Sequence, residues 1–141
     1  MPQDFAPDDA WRAALSLDCE CELPAAAREA IAKFNAGEYY EQHDLLEALW
    51  METESPVRQL YQAILQVGIS YYQIEQGNRR GAIKMLSRAL RWIDYLPASC
   101  QGVDLAQLRA NAEALRTVLL QMGEDALANI DSTLLRPVPM K

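Results

Sequence analysis

The 141-residue chain is half hydrophobic and 23% charged. That is the balance of one globular domain, and it excludes a disordered or collagen-like chain. Thirteen basic against twenty acidic residues leave a net charge of −7, which makes nucleic acid an unlikely partner.

No apolar run approaches the roughly 20 residues that cross a bilayer, so no membrane association is expected. The first 23 residues carry six acids against Arg12. They lack a basic stretch followed by an apolar one, so the cytoplasm is the expected location. This acidic segment, 1–23, is expected to pack on the domain through a short helix over Asp9–Leu17, with Trp11 and Leu15 one turn apart. Cys19, Cys21 and Cys100 make an odd count without a Cys-x-x-Cys pair. That pattern suggests neither a disulfide framework nor a zinc ribbon. Carboxylates around Cys19-Glu-Cys21 disfavour the thiolate, and three reduced thiols are expected.

Glycine and proline cut the remainder into helices. Pro24 opens one that runs to about Ala36 and ends at Gly37. A second covers about Glu38–Glu52, and a third about Val57–Gln76. Gly77-Asn78 turns into a fourth, Arg79–Tyr95, stopped by Pro97. Asp104 caps a fifth that reaches Met122. Its Leu105, Leu108, Ala112, Leu115, Leu119 and Met122 form a seam that must be buried. A short helix over Glu124–Ile130 and an extended tail, 132–141, complete the chain. No strand-like alternation of useful length appears. The fold class is all-α: one antiparallel bundle of five or six helices, with the bundle proper at 24–131.

In the second helix Tyr39, His43, Leu46 and Trp50 share a roughly 60° arc. His43 therefore points with the apolar stripe, Glu47 lies one turn on, and Asp44 points away. In the third helix Gln59, Gln62, Gln66, Ser70 and Gln73 share a roughly 80° arc. Antiparallel pairing about Glu54 brings Glu47 level with Gln62 and His43 level with Gln66, with Arg58 in reach of Glu47. Three readings stay open. The glutamines are a solvated face and His43 is a satisfied core histidine; or the residues form a buried polar network; or they line a functional pocket. A buried network would cost roughly 1–3 kcal/mol when one partner is removed.

The chain holds a single histidine. That excludes a carboxylate di-iron bundle and a His-Glu-x-x-His zinc site. No catalytic residue is assigned and no cofactor is expected. The metal question stays open for a hard cation at Asp44 and Glu47.

The stretch from Phe34 to Trp50, with a glycine turn, an aromatic pair and His43-Asp-Leu-Leu-Glu47-Ala-Leu-Trp50, resembles the domain of unknown function 309 family. Arg58, Gln62-Ala-Ile-Leu-Gln66 and Gly77-Asn78-Arg-Arg-Gly81-Ala82 follow that family's pattern in order. Asp44 departs from it, standing where the family usually has glutamate. The resemblance covers about Arg28–Leu96. It implies a small all-helical domain and no assigned activity. It also implies that His43, Glu47, Trp50, Arg58, Gln62, Gln66 and Asn78 mark one site or one packing motif.

In the fourth helix Arg80, Lys84, Arg88 and Arg91 share a roughly 80° arc without an intervening acid. This basic ridge is either a solvated face, screened by the acidic N-terminal segment, or a surface for an anionic partner. The spacing of the two central hairpins loosely approaches that of a tetratricopeptide unit, and one unit is too few for a solenoid. The leading functional expectation is a non-enzymatic interaction or adaptor domain with a protein partner or a second copy. The alternative is a small-ligand or metal-assisted pocket at His43 and Glu47.

Overall fold

The computed structural model describes residues 6–141. Asp4, counted in the acidic segment, lies outside the described residues. Six α-helices are present among them: α1 Asp9–Cys19, α2 Ala25–Asn35, α3 Tyr39–Glu52, α4 Arg58–Glu75, α5 Arg79–Ile93 and α6 Leu105–Gln121. The all-α expectation therefore holds. Consecutive helices from α2 to α6 pack side by side, with α4 in the middle. Cross-contacts run antiparallel: Gln42 meets Leu65 while Trp50 meets Arg58, and Arg79 meets Leu119 while Asp94 meets Arg109.

Two of the turns are built alike. Gly37 and Gly77 each have a positive φ, 85° and 75°. Glu38 N donates back to Lys33 O at 2.9 Å, and Asn78 N to Gln73 O at 2.8 Å. This is the left-handed glycine stop that satisfies the last helical carbonyls. It explains why both helices end where the sequence places the glycine.

The central position of α4 overturns one expectation. Its glutamine arc is not a solvated face. Gln66 is 6% exposed and Ser70 is fully buried, while Gln59, Gln62 and Gln73 are half-buried. Helices α3 and α5 cover both flanks of α4, so an arc that is polar by sequence is enclosed by packing.

The core stripe of α3 is also displaced from the expected one. Gln42, Leu46 and Leu49 are buried, whereas Tyr39, His43 and Trp50 are half-buried at its edge. Gln42 is 0% exposed. Its Nε2 donates to Tyr39 O at 2.9 Å and to Leu65 O at 3.3 Å. Opposite it stands Gly68. A Cβ there would lie 2.3 Å from Gln42 Nε2 and 3.1 Å from Phe34 Cδ2. A Cβ at 68 would force the buried Gln42 amide and Phe34 to shift, so glycine favours the close approach of α3 and α4 at this crossing. Beside it Phe34, Tyr39 and Tyr71 form a triangle of edge-to-face rings 5.2–5.6 Å apart. The Tyr71 hydroxyl donates to Arg136 O at 3.1 Å, and burial drives its pKa well above the usual tyrosine value.

Ser132–Leu134, expected to be extended, winds as a short 3-10 helix; the residues after it are extended, and they dock. Val138 is buried, its N–H donates to Asn35 Oδ1 at 2.9 Å, and Met140 bridges to Val103. The segment Glu124–Asn129 is helical as expected but winds as a 3-10 helix.

Two features depart from the sequence reading altogether. Ser99–Cys100 (β1) and Val103–Asp104 (β2) form an antiparallel hairpin. Its turn residues Gln101 and Gly102 have φ of 50° and 83°, the pattern of a tight two-residue turn. Strands of two residues leave no alternation to read. The second departure concerns the cysteines: Cys19 and Cys100 are joined by a disulfide across 81 positions, and Cys21 alone is free. No local spacing announces such a pair. It exists because α1 ends against the hairpin. There Gln101 N donates to Cys19 O at 2.7 Å and Gln101 Nε2 to Asp18 O at 3.0 Å. Gln101 Oε1 accepts from Tyr61 Oη at 2.8 Å, and Ser55 donates to Asp18.

Two outcomes follow. Gly68→Ala would stabilise an exposed helix, but here it is expected to cost about 1–3 kcal/mol through overpacking, read as a lower urea midpoint at unchanged slope. Closing a loop of this length by a disulfide contributes about 4.5 kcal/mol in the chain-entropy picture. Cys100→Ser is therefore expected to lower stability by up to that amount, and the wild type in reductant should fall with it. The untreated, denatured wild type should then titrate one thiol.

Candidate functional site along the seam of α3 and α4

The register expected between α3 and α4 is the observed one. Gln42 lies level with Leu65 and Gly68, which puts His43 beside Gln66 and Glu47 beside Gln62 along the antiparallel pair. The side chains do not converge as expected, because Gln42 and not His43 is turned into the seam.

His43 sits at the rim, its side chain 28% exposed. Its Nε2 lies 2.9 Å from Glu47 Oε2, and its Nδ1 lies 3.3 Å from Asp44 Oδ1. A neutral imidazole carries one N–H; the Nδ1···Asp44 Oδ1 contact has hydrogen-bond geometry, and the Nε2···Glu47 Oε2 contact is a charge-pair distance. Tyr40 packs on the ring at 5.9 Å and on Tyr72 at 5.2 Å. Tyr40 is 49% exposed. The surroundings of His43 are therefore two carboxylates and two tyrosines on the protein surface. Among the described residues no serine, threonine or cysteine hydrogen-bonds to His43, so no nucleophile is paired with it.

Arg58 does not reach Glu47. It lies over the Trp50 ring, its Cζ 4.1 Å from the centroid, and its Nε donates to Trp50 O at 3.2 Å. Arg58 begins α4 and Trp50 lies in the last turn of α3, so this cation–π contact closes the corner between the two helices. Asn78 lies beyond the other end of α4. It caps α5, its Oδ1 accepting from Gly81 N at 2.9 Å, and a Cβ on Gly81 would strike it. The residues singled out by the motif thus spread along the full seam. His43 and Glu47 pair, Trp50 and Arg58 pair, and Asn78 stands apart as a cap.

Several buried polar atoms of α3 and α4 have no partner among the described residues: Oε1 of Gln42, Gln59, Gln66 and Gln73, and Nε1 of Trp50; of these, Gln73 lies against Gly81 of α5. Gln59, Gln66 and Gln73 recur every seven residues, so their amides lie in one row about 10 Å apart along α4. The buried network expected among the glutamines is therefore not closed. Among the described residues no group of three His, Cys, Asp or Glu side chains is placed to hold a metal.

On α5 Arg80, Lys84, Arg88 and Arg91 are all exposed. None makes an ion pair among the described residues, whose bridges involve His43 and Arg109. The described part of the acidic segment does not screen them. Helix α1 packs instead on the hairpin and on Tyr95, with Trp11 edge-on to that ring at 6.3 Å.

Sequence reasoning missed Gln42, Gly68, Tyr40 and Tyr72. The signal for Gln42 was present: Tyr39, Gln42, Leu46 and Leu49 fall at i, i+3, i+7 and i+10, a more regular seam than the one through His43.

The fold and seam define a small all-helical bundle built on two glycine-turned hairpins. Residues 27–85 match the model of the family described as "Domain of unknown function (DUF309)", and the resemblance read from the motif is borne out over that segment. An "Uncharacterized protein" of Aquifex aeolicus (strain VF5) is 25% identical over 100 residues, covering 70% of this chain. The chain spans 29% of the length of that relative. No biochemical activity is established by either likeness.

Partial exposure revises the cost expected at the His43 pair. With Glu47 47% exposed, the pair resembles other surface i,i+4 pairs, worth roughly 0.3–0.5 kcal/mol. Glu47→Ala is therefore expected to shift the urea midpoint only slightly. A loss above about 1 kcal/mol would return the pair to the buried class.

Proposed function

We propose that this protein is a non-enzymatic helical interaction module that offers the basic ridge of α5 to an acidic protein surface. The observation that carries the reading is the set Arg80, Lys84, Arg88 and Arg91, exposed on one arc and free of ion pairs among the described residues. Four like charges on one helix face repel one another, and an acidic partner relieves that repulsion. The overall charge of −7 disfavours nucleic acid and leaves an acidic protein, or the acidic surface of a second copy, as the matching chemistry. The cytoplasm goes with this reading. Thiol buffers there open disulfides that are not kinetically protected, so the Cys19–Cys100 bond is one that such a location would challenge. No helix among the described residues is long and apolar enough to cross a membrane.

A second reading, a small-ligand site on the seam, is favoured by one observation. Gln66 is buried with its Oε1 unpartnered, and such an oxygen accepts a donor at a gain of about 1–3 kcal/mol.

The quadruple change Arg80→Glu, Lys84→Glu, Arg88→Glu, Arg91→Glu tests the first reading. It is expected to abolish a salt-sensitive pull-down partner, or self-association in sedimentation, while the helical circular dichroism stays intact. Unchanged binding with an intact fold would overturn the ridge as the docking face.

A further inference from the structure

The disulfide and the free thiol stand together at one end of the molecule. Cys21 is exposed and free, two positions beyond Cys19. The two bonded sulfurs differ in access: Cys100 is buried, 1% exposed, whereas Cys19 is half-buried. An attacking thiol reaches Cys19 first. The turn between Cys19 and Cys21 is held lightly. Cys21 N donates to Asp18 O at 3.1 Å, and its Sγ makes a weak 3.7 Å contact with Leu17 O. Glu20 and Cys21 already lie outside α1.

Helix α1 depends on this end for its place. It touches the rest of the chain mainly at the hairpin. Besides the disulfide, it is held by the hydrogen bonds of Gln101 to Asp18 and Cys19, by Ser55 to Asp18, and by packing of Trp11 and Leu15.

We propose that the Cys19–Cys100 bond is a switchable clasp on α1, with Cys21 as its exchange partner. The sulfur of Cys21, its proton given to solvent, attacks Sγ of Cys19. The Cys19–Cys100 bond breaks as the Cys19–Cys21 bond forms. The electron pair of the broken bond stays on Cys100 sulfur, which takes up a proton. One disulfide is exchanged for another, and no oxidant or reductant is consumed. Two Cα atoms two positions apart in a helical turn are about 5.4 Å apart, inside the range that a disulfide spans. Their side chains diverge in that geometry, so residues 20 and 21 must leave the turn for the bond to form. Exchange is thereby coupled to opening the end of α1, and the covalent tie across 81 positions becomes a local one. The inference stands on the nearness of Cys21 to Cys19 in the chain and on the unequal exposure of the three cysteines, and does not use the basic ridge.

The oxidised full-length protein is incubated in a buffer of reduced and oxidised glutathione, quenched with acid, alkylated and mapped by mass spectrometry without reduction. The expected product carries a Cys19–Cys21 bond within one tryptic peptide and an alkylated Cys100. Its appearance should coincide with faster tryptic cleavage at Arg12 in α1. Cys21→Ser, which alters an exposed residue, should keep the clasped stability, yield no such product and open more slowly. Three results would overturn the proposal. Cys100 could become alkylatable only in molecules where all three thiols are free. Cys21 could be recovered only as the thiol or its glutathione adduct. Cys21 could be found bonded to Cys100.

Discussion

The close approach of α3 and α4 at Gln42 and Gly68 governs the rest of the molecule. A side chain at position 68 would occupy the space of the Gln42 amide, so the spacing of the two helices is set by the absence of one Cβ. Because Gln42 enters the seam, His43 is turned to the rim and Trp50 to the corner, where Arg58 covers it. The same approach lets Tyr71 meet Phe34 and Tyr39, and Tyr71 in turn receives the C-terminal segment at Arg136. A glutamine at this place is costly, since its Oε1 is buried without a partner among the described residues. The two hydrogen bonds of its Nε2 and the packing that they permit offset that cost.

The bundle is closed by a second, independent constraint. Hairpin, α1 and the loop before α4 meet around Gln101, whose backbone and side chain together bind Cys19, Asp18 and Tyr61. The left-handed backbone at Gln101 and Gly102 presents this side chain inward. The disulfide then locks an arrangement that hydrogen bonds already favour. The seam lies between α3 and α4 and the clasp between α1 and the hairpin, so the end that chemistry can open is apart from the packed centre.

Much of the fold was legible in the sequence. Glycine and proline marked the helix ends to within a few residues, because a positive φ at Gly37 and Gly77 is a local requirement that few other residues meet. The antiparallel register followed from loop length. The exposure of faces was less legible. The glutamine arc of α4 reads as polar, and only the flanking of α4 on both sides makes Gln66 buried. The hairpin and the disulfide were hidden for a related reason. Both join segments far apart in sequence, and neither leaves a periodic trace. Helix spacing places His43 one turn from Glu47, and the two lie 2.9 Å apart. The pairing register overstated the reach of Arg58, which is captured by Trp50 before it can span to the carboxylate.

The central constraint is tested most directly by a double-mutant cycle on Gln42 and Gly68, measured by urea unfolding of Gln42→Ala, Gly68→Ala and the double variant. If the amide of Gln42 is what excludes a side chain at 68, removing it relieves the clash. The double variant is then more stable than the sum of the single losses allows, by about 1 kcal/mol or more. Losses that simply add would mean that the two residues do not share the seam, and the placement of His43 at its rim would lose its physical cause.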